Sequence, residues 1–224
     1  MWAPGGRELL TAQQRGIGQD LNLWSTAHPT DTLAAPIVTI PGQIVSVRWN
    51  PDGRGAVLLS TRPASALPAG GGATPHTLIW DATLLLPGTW PETSRAVRLT
   101  APPPAPVGLI PMDWRTDALY WTVDTPEGPV LERIPFATAL PQRLGSLPAG
   151  TIALRVLDDD QLRVLVREDS DAVTMQTWPA GEVLFMLDDV PSAPDMGGMW
   201  SGDALLLATS ADLWQLTFAP EALR

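Results

Sequence analysis

Ile44-Val45-Ser46-Val47-Arg48-Trp49 alternates between apolar and polar positions at its centre, and Ala56-Val57-Leu58-Leu59-Ser60 is an almost unbroken apolar run. Period-two alternation predicts a half-buried strand. A short apolar run bounded by turn residues predicts a strand buried on both faces. Between them, Asn50-Pro51-Asp52-Gly53 has hairpin chemistry. Proline presets φ at the second position, aspartate hydrogen-bonds locally, and glycine accepts a positive φ. A strand, a tight turn and a second strand is a β-hairpin.

The pattern recurs. Trp2-Ala3-Pro4-Gly5-Gly6 leads into Glu8-Leu9-Leu10, and Trp114-Arg115-Thr116-Asp117 into Ala118-Leu119-Tyr120-Trp121. Leu157-Asp158-Asp159-Asp160 leads into Leu162-Arg163-Val164-Leu165-Val166, and Trp200-Ser201-Gly202-Asp203 into Ala204-Leu205-Leu206-Leu207. Anchors at 2, 49, 114, 157 and 200 are spaced by 47, 65, 43 and 43 residues. An insertion between Arg62 and Pro75 accounts for the 65. Periods of about 40–45 residues, each holding four strands, mark β-propeller blades. An all-β sandwich is the competing architecture.

A second tryptophan-bearing strand follows each hairpin, at Trp24, Trp80, Trp178 and Trp214, with Val130–Ile134 filling the place in the third unit. Large flat side chains at matched positions suit the packing of one sheet on the next. The expected fold is an all-β propeller of about five four-stranded antiparallel blades in a single domain over 1–224, with incomplete terminal blades. The units run approximately 1–43, 44–106, 107–150, 151–194 and 195–224. The first has strands near 7–13, 20–26 and 36–40, and the last ends with a strand near 212–218. The strand count is thus three, four, four, four and three. Either five units close with short terminal blades or the chain is part of a longer propeller, and the second reading is preferred.

Composition fits short strands joined by turns. The 224 residues include 24 Pro and 19 Gly, too much punctuation for long helices. Ten Trp stand against three Phe and one Tyr. There is no Cys, which excludes disulfides, thiol catalysis and cysteine-type zinc sites. The net charge of −10 disfavours nucleic acid, whose phosphates need clustered Lys and Arg. No apolar run approaches the ~18 residues of a membrane span. Met1-Trp2-Ala3-Pro4-Gly5 lacks the charged and apolar regions of a signal peptide.

Trp49-Asn50-Pro51-Asp52-Gly53, followed by its apolar strand, resembles the W-x-P-D-G repeat of TolB-type β-propellers, the WD-like repeats of bacterial proteins. Trp2-Ala3-Pro4-Gly5-Gly6 keeps Trp, Pro and Gly. Units three and five keep only Trp, and unit four keeps neither Trp nor Pro. The resemblance implies a propeller that binds proteins or peptides, often as an extracytoplasmic module of a larger chain, with a cytoplasmic location as the alternative. It carries over no functional residue, because the motif is structural.

No catalytic constellation is present. His28 and His76 have no further His or Cys with which to hold a metal. In Gly198-Met199-Trp200-Ser201-Gly202 the serine falls one residue late for a nucleophile elbow. No cofactor is expected. Up-and-down blade topology brings the loops after the second and fourth strands to one face. Those loops hold Asp20, Asp124, Glu127, Glu168, Asp169, Asp171, Asp188, Asp189 and Asp195, with Arg15 and Arg167 among the few nearby cations. An acidic rim would concentrate a cationic partner, although any acidic protein has acidic loops. The sequence therefore reads first as a non-catalytic binding or scaffolding propeller. A carbohydrate-active hydrolase or lyase using paired carboxylates is the alternative.

Overall fold

The computed structural model describes residues 2–25, 36–53, 55–63, 78–86, 95–100, 110–158, 161–168, 172–187, 190, 196–201, 204–209 and 211–218. All regular structure among them is β. The chain divides into two compact units, Met1–Pro103 and Pro104–Arg224.

The first unit holds two sheets. β1 (Glu8–Arg15), β2 (Gly18–Ser25) and β3 (Val38–Pro41) form one, in that order. β4 (Gln43–Trp49), β5 (Ala56–Pro63), β6 (Leu78–Leu86) and β7 (Arg95–Thr100) form the next. The second unit holds three. The third sheet is β8 (Met112–Trp114), β9 (Ala118–Thr125), β10 (Gly128–Pro135) and β11 (Gln142–Ser146). The fourth is β12 (Thr151–Asp158), β13 (Gln161–Arg167), β14 (Val173–Trp178) and β15 (Val183–Leu187). β16 (Gly197–Ser201), β17 (Ala204–Ala208) and β18 (Leu213–Thr217) complete the set. Every sheet is an antiparallel meander in sequence order, and among the described residues the strands number three, four, four, four and three, as expected.

Face-to-face packing of sheets explains the apolar runs. Leu10, Leu21 and Ile40 of the first sheet share a core with Ala56, Leu58 and Leu85 of the second. Tyr120 and Leu131 of the third pack with Leu154, Leu162 and Val164 of the fourth. On its other side the fourth sheet presents Ala153, Leu165 and Met175 to Leu205 and Leu207 of the fifth. A strand with a sheet on each face has no solvent side. β13 is accordingly buried at every position from Leu162 to Val166, as a strand covered on both faces must be.

The hairpins come in two lengths. In the first two sheets the turn is the long form: Gly53 N–H donates to Asn50 O at 2.8 Å and Asn50 N–H to Gly55 O at 2.7 Å. Gly6 N–H to Ala3 O at 3.0 Å and Ala3 N–H to Glu8 O at 2.8 Å repeat it. Gly53 has φ +74° and Gly6 φ +67°, which is why glycine stands at both. The side chain that closes the turn is Asn50, whose Oδ1 accepts from Asp52 N–H at 3.2 Å. In the third sheet Arg115 N–H donates to Ala118 O at 2.9 Å. In the fourth and fifth, Asp158 pairs with Gln161 and Ser201 with Ala204. These shorter connections have no place for Pro-x-Gly, so the motif fades there while the hairpin persists.

The second tryptophan echo is less regular than the sequence suggested. Trp2, Leu9 and Trp24 share one rung across the first sheet. Trp114, Leu119 and Ile134 share the same rung in the third, as do Val156, Leu162 and Trp178 in the fourth. Trp80 pairs with Thr61, five rungs from the Trp49–Ala56 pair. Trp214 pairs with Leu207, two rungs from Trp200–Leu205. The register of the outer tryptophan thus differs from sheet to sheet while the strand keeps its place.

One side chain ties neighbouring inner strands together. Asp113 on β8 accepts Trp114 N–H on Oδ1 at 2.9 Å and Val156 N–H of β12 on Oδ2 at 2.8 Å. Burial holds its carboxyl above the usual range, against the two backbone bonds and nearby Arg155 and Arg115. Each N–H needs an acceptor, and an amide offers one oxygen. Asp113→Asn is therefore expected to cost about 1–3 kcal/mol in urea unfolding at neutral pH. A raised folded pKa means that the folded chain binds the extra proton, so this group's contribution falls as pH rises from the ordinary aspartate value through the folded one. The variant should lose that part of the pH profile.

Candidate functional site

The inner strands β8, β12 and β16 adjoin one another in the second unit. At their N-terminal ends lies a cavity of about 260 Å³. Its floor is backbone and apolar: Gly150, Thr151 and Ile152 where β12 begins, Pro111 before β8, Met196 and Gly197 at the start of β16. Two charged residues are in its lining, Asp124 at the end of β9 and Arg167 at the end of β13. These are the strand ends whose loops the sequence placed on one face.

A glycine allows the close approach that forms this floor. Gly150 has φ +78°, and a Cβ there would overlap the Arg167 carbonyl oxygen. Arg167 N–H donates to Gly150 O at 2.9 Å, drawing the end of β13 onto the entry to β12. Gly42 does the same in the second sheet: φ is +93°, and a Cβ would overlap the Thr61 carbonyl oxygen just before β4 begins. The two form a second repeated mark, glycine before an inner strand. The sequence held it as Pro41-Gly42-Gln43-Ile44 and Ala149-Gly150-Thr151-Ile152.

The rim residues fall into three groups. Asp124 and Glu127 are exposed at the β9–β10 hairpin, where the Thr125 hydroxyl lies 3.1 Å from Glu127 Oε2 and 2.8 Å from Gly128 O. Glu168 follows β13 and is half-buried; its Oε1 accepts from Thr174 Oγ1 and Gln176 Nε2, both at 2.8 Å. Asp20 belongs to the first unit and sits within β2 rather than in a loop. It accepts from Thr39 Oγ1 at 2.6 Å and Arg15 Nη1 at 3.0 Å, and the Thr39 hydrogen bond, then Arg15, hold its carboxyl below the usual range. Asp169, Asp171, Asp188, Asp189 and Asp195 lie outside the described residues, as do His28 and His76.

Two features escaped the sequence. Asp113 looked like any polar residue beside a tryptophan, and its ties to two backbone N–H groups make it a structural carboxylate. Thr122 lies two residues before Asp124 on β9 and is buried, and its Oγ1 has no partner among the described groups. Ala118 and Tyr120 face the fourth sheet, and strand alternation continues that column through Thr122 to Asp124. Among the described residues no group of three or more His, Cys, Asp or Glu is placed to hold a metal. None of their helices is long and apolar enough to cross a membrane, which says nothing of β-barrels.

No protein-family model matches the chain, and no curated protein matches it. Solved structures do. The chain is similar to the Cps50 (Swd1) β-propeller domain of Myceliophteria thermophila at TM-score 0.52 and 13% identity, covering 93% of this chain and 61% of that one. It is similar to the acylaminoacyl peptidase of Pyrococcus horikoshii at TM-score 0.51 and 11% identity, covering 97% of this chain and 38% of that one. TolB from Acinetobacter baumannii matches over 92% of this chain and 49% of that one at 17% identity, but its TM-score of 0.39 adds nothing to the fold argument. At these identities the likeness is one of fold. The fold is the WD-like β-propeller expected from the repeat, and the chain spans less than two thirds of each of these proteins.

Proposed function

We propose that this chain is a non-catalytic β-propeller module that captures a protein or peptide of cationic character. The contact face is the one onto which the loops after the second and fourth strands emerge. The observation that carries this reading is the cavity at the ends of β8, β12 and β16, with Asp124 in its lining and Glu127 and Glu168 on the flanking loops. Propellers host enzymes as well as scaffolds, so fold alone does not choose between them. The carboxylate-enzyme alternative gains no support from Asp113, whose two oxygens are both taken by backbone N–H groups.

The test is fluorescence anisotropy with a Lys/Arg-rich 12-residue peptide and its Asp/Glu counterpart. The basic peptide is expected to bind, with an association rate that falls steeply as salt is raised. The Asp124→Lys/Glu127→Lys double variant should slow association by about tenfold or more at low salt. Glu182→Lys lies on the β14–β15 loop at the opposite strand ends and makes the same charge change as Glu127→Lys, yet it should leave the rate nearly unchanged. Equal effects from Glu127→Lys and Glu182→Lys would reduce the attraction to net charge and overturn the assigned face.

A further inference from the structure

We infer that the outer edge of β18 is a dimerisation edge, and that its occupant is β18 of a second copy of this chain, antiparallel about a two-fold axis at Gln215. In the second, third and fourth sheets the third strand is paired on both sides, β6 also by β7, β10 by β11 and β14 by β15. β18 holds the same third place in its sheet, and among the described residues it is paired with β17 alone. Its sequence, Leu213-Trp214-Gln215-Leu216-Thr217, has no charge and no proline. Charges, prolines and bulges are what blunt a sheet edge. The other outer strands have them: Arg95 and Arg98 on β7, Arg143 on β11, Pro41 on β3, and a register shift where β15 joins β14.

The strand is complementary to itself. Thr209 N–H donates to Asp212 O at 2.9 Å, and antiparallel pairs alternate between bonded and non-bonded. Trp214 and Leu216 therefore direct their backbone groups to Leu207 and Leu205, while Leu213, Gln215 and Thr217 point theirs away from the sheet. A copy turned about Gln215 meets them in kind. Gln215 opposes Gln215, and Leu213 opposes Thr217, as bonded pairs. Trp214 opposes Leu216 as the non-bonded pair, whose side chains lie closest. Trp214 and Leu216 already pack on the core between the fourth and fifth sheets, so the apolar row of one copy continues into the other. The Gln215 side chain, exposed in a single copy, carries both a donor and an acceptor for its mate. Asp212 is the nearest charge along the chain, three residues from the axis. The two copies of it stand about 20 Å apart, beyond the ~8 Å screening length at physiological salt.

A ladder this short makes a smaller interface than the ~1,200 Å² of stable complexes, so the dimer is reversible. Sedimentation velocity of the intact chain should show a mass rising from one chain to two with concentration. High salt, which screens the −10 charge of each copy, should not diminish it. Gln215→Lys sets two ammonium groups face to face and should weaken association at least about tenfold. Gln142→Lys, the same change on exposed β11, should leave it unchanged. Cross-linking reads the register, in a chain that has no cysteine of its own. Gln215→Cys puts thiols on facing residues about 5.5 Å apart, inside disulfide reach, and should oxidise to a covalent dimer. Leu213→Cys leaves the two thiols four residues out of register, about 13 Å apart, and should not. A monomer at every concentration overturns the inference, and so does equal cross-linking of the two cysteine variants. Capture of the basic peptide weakens with salt and does not involve β18, so the two readings fail separately.

Discussion

Gly42→Ala and Gly150→Ala are expected to be the most damaging single-methyl substitutions in the chain, each costing roughly 4 kcal/mol. Two effects add. Both glycines have positive φ, +93° and +78°, and a side chain held there costs about 1–3 kcal/mol. The added Cβ also meets a backbone carbonyl, of Thr61 or Arg167, at the end of the neighbouring second strand. Backbone locked in a ladder cannot swing aside as a flexible side chain would, and overpacking of this kind costs about 1–3 kcal/mol more. Gly16→Ala separates the two effects. Its φ is +61°, but nothing lies within 4 Å of the added atom, so only about 1–2 kcal/mol should be lost. Urea unfolding of the three variants checks the order. Equal losses would mean that the close approach of strand ends contributes nothing.

The second large effect is Tyr120→Ala, expected to lower stability by about 3–5 kcal/mol, the range for deleting a large buried aromatic side chain, and Tm by about 10 °C. Tyr120 is fully buried in the core shared by the third and fourth sheets. Its hydroxyl accepts from Arg133 Nε at 3.0 Å, and Arg133 Nη2 reaches Asp117 Oδ2 at 2.6 Å. Tyr120→Phe keeps the ring and loses that acceptor. Because Arg133 retains Asp117 and lies near solvent, about 1 kcal/mol should go with it. A Phe variant as unstable as the Ala variant would place the stabilisation in the polar network instead of in the packing of sheet on sheet.

The strand count was legible because it rests on local signals, turn residues and apolar runs, which do not depend on what packs where. The Trp49–Gly53 turn could be read down to its positive-φ glycine, and the bond that Asn50 Oδ1 accepts from Asp52 N–H was the part not foreseen. The register of the outer tryptophans was not legible. Trp80 and Trp24 look alike in sequence, but pairing register depends on connection length and bulges that period alone does not reveal. Gly150 and Gly42 were overlooked because one glycine among nineteen is marked only by which carbonyl it meets. The cavity was half legible. Topology placed Asp124, Glu127 and Glu168 at one set of strand ends, whereas the apolar floor depends on the approach of three inner strands. Asp20 was misjudged as a loop residue because the β1–β2 turn is shorter than Arg15–Gln19 suggests; β2 already begins at Gly18.

Amide hydrogen exchange with and without the Lys/Arg-rich peptide measures directly where a partner sits. Slowed exchange is expected at residues 124–128, 149–152, 167–168 and 196–197, around the cavity and its rim. The contrary result is slowed exchange along β15, where Val183, Leu184 and Met186 are exposed. That pattern would mean that the partner adds a strand to a sheet edge, and the face assigned to binding would be wrong.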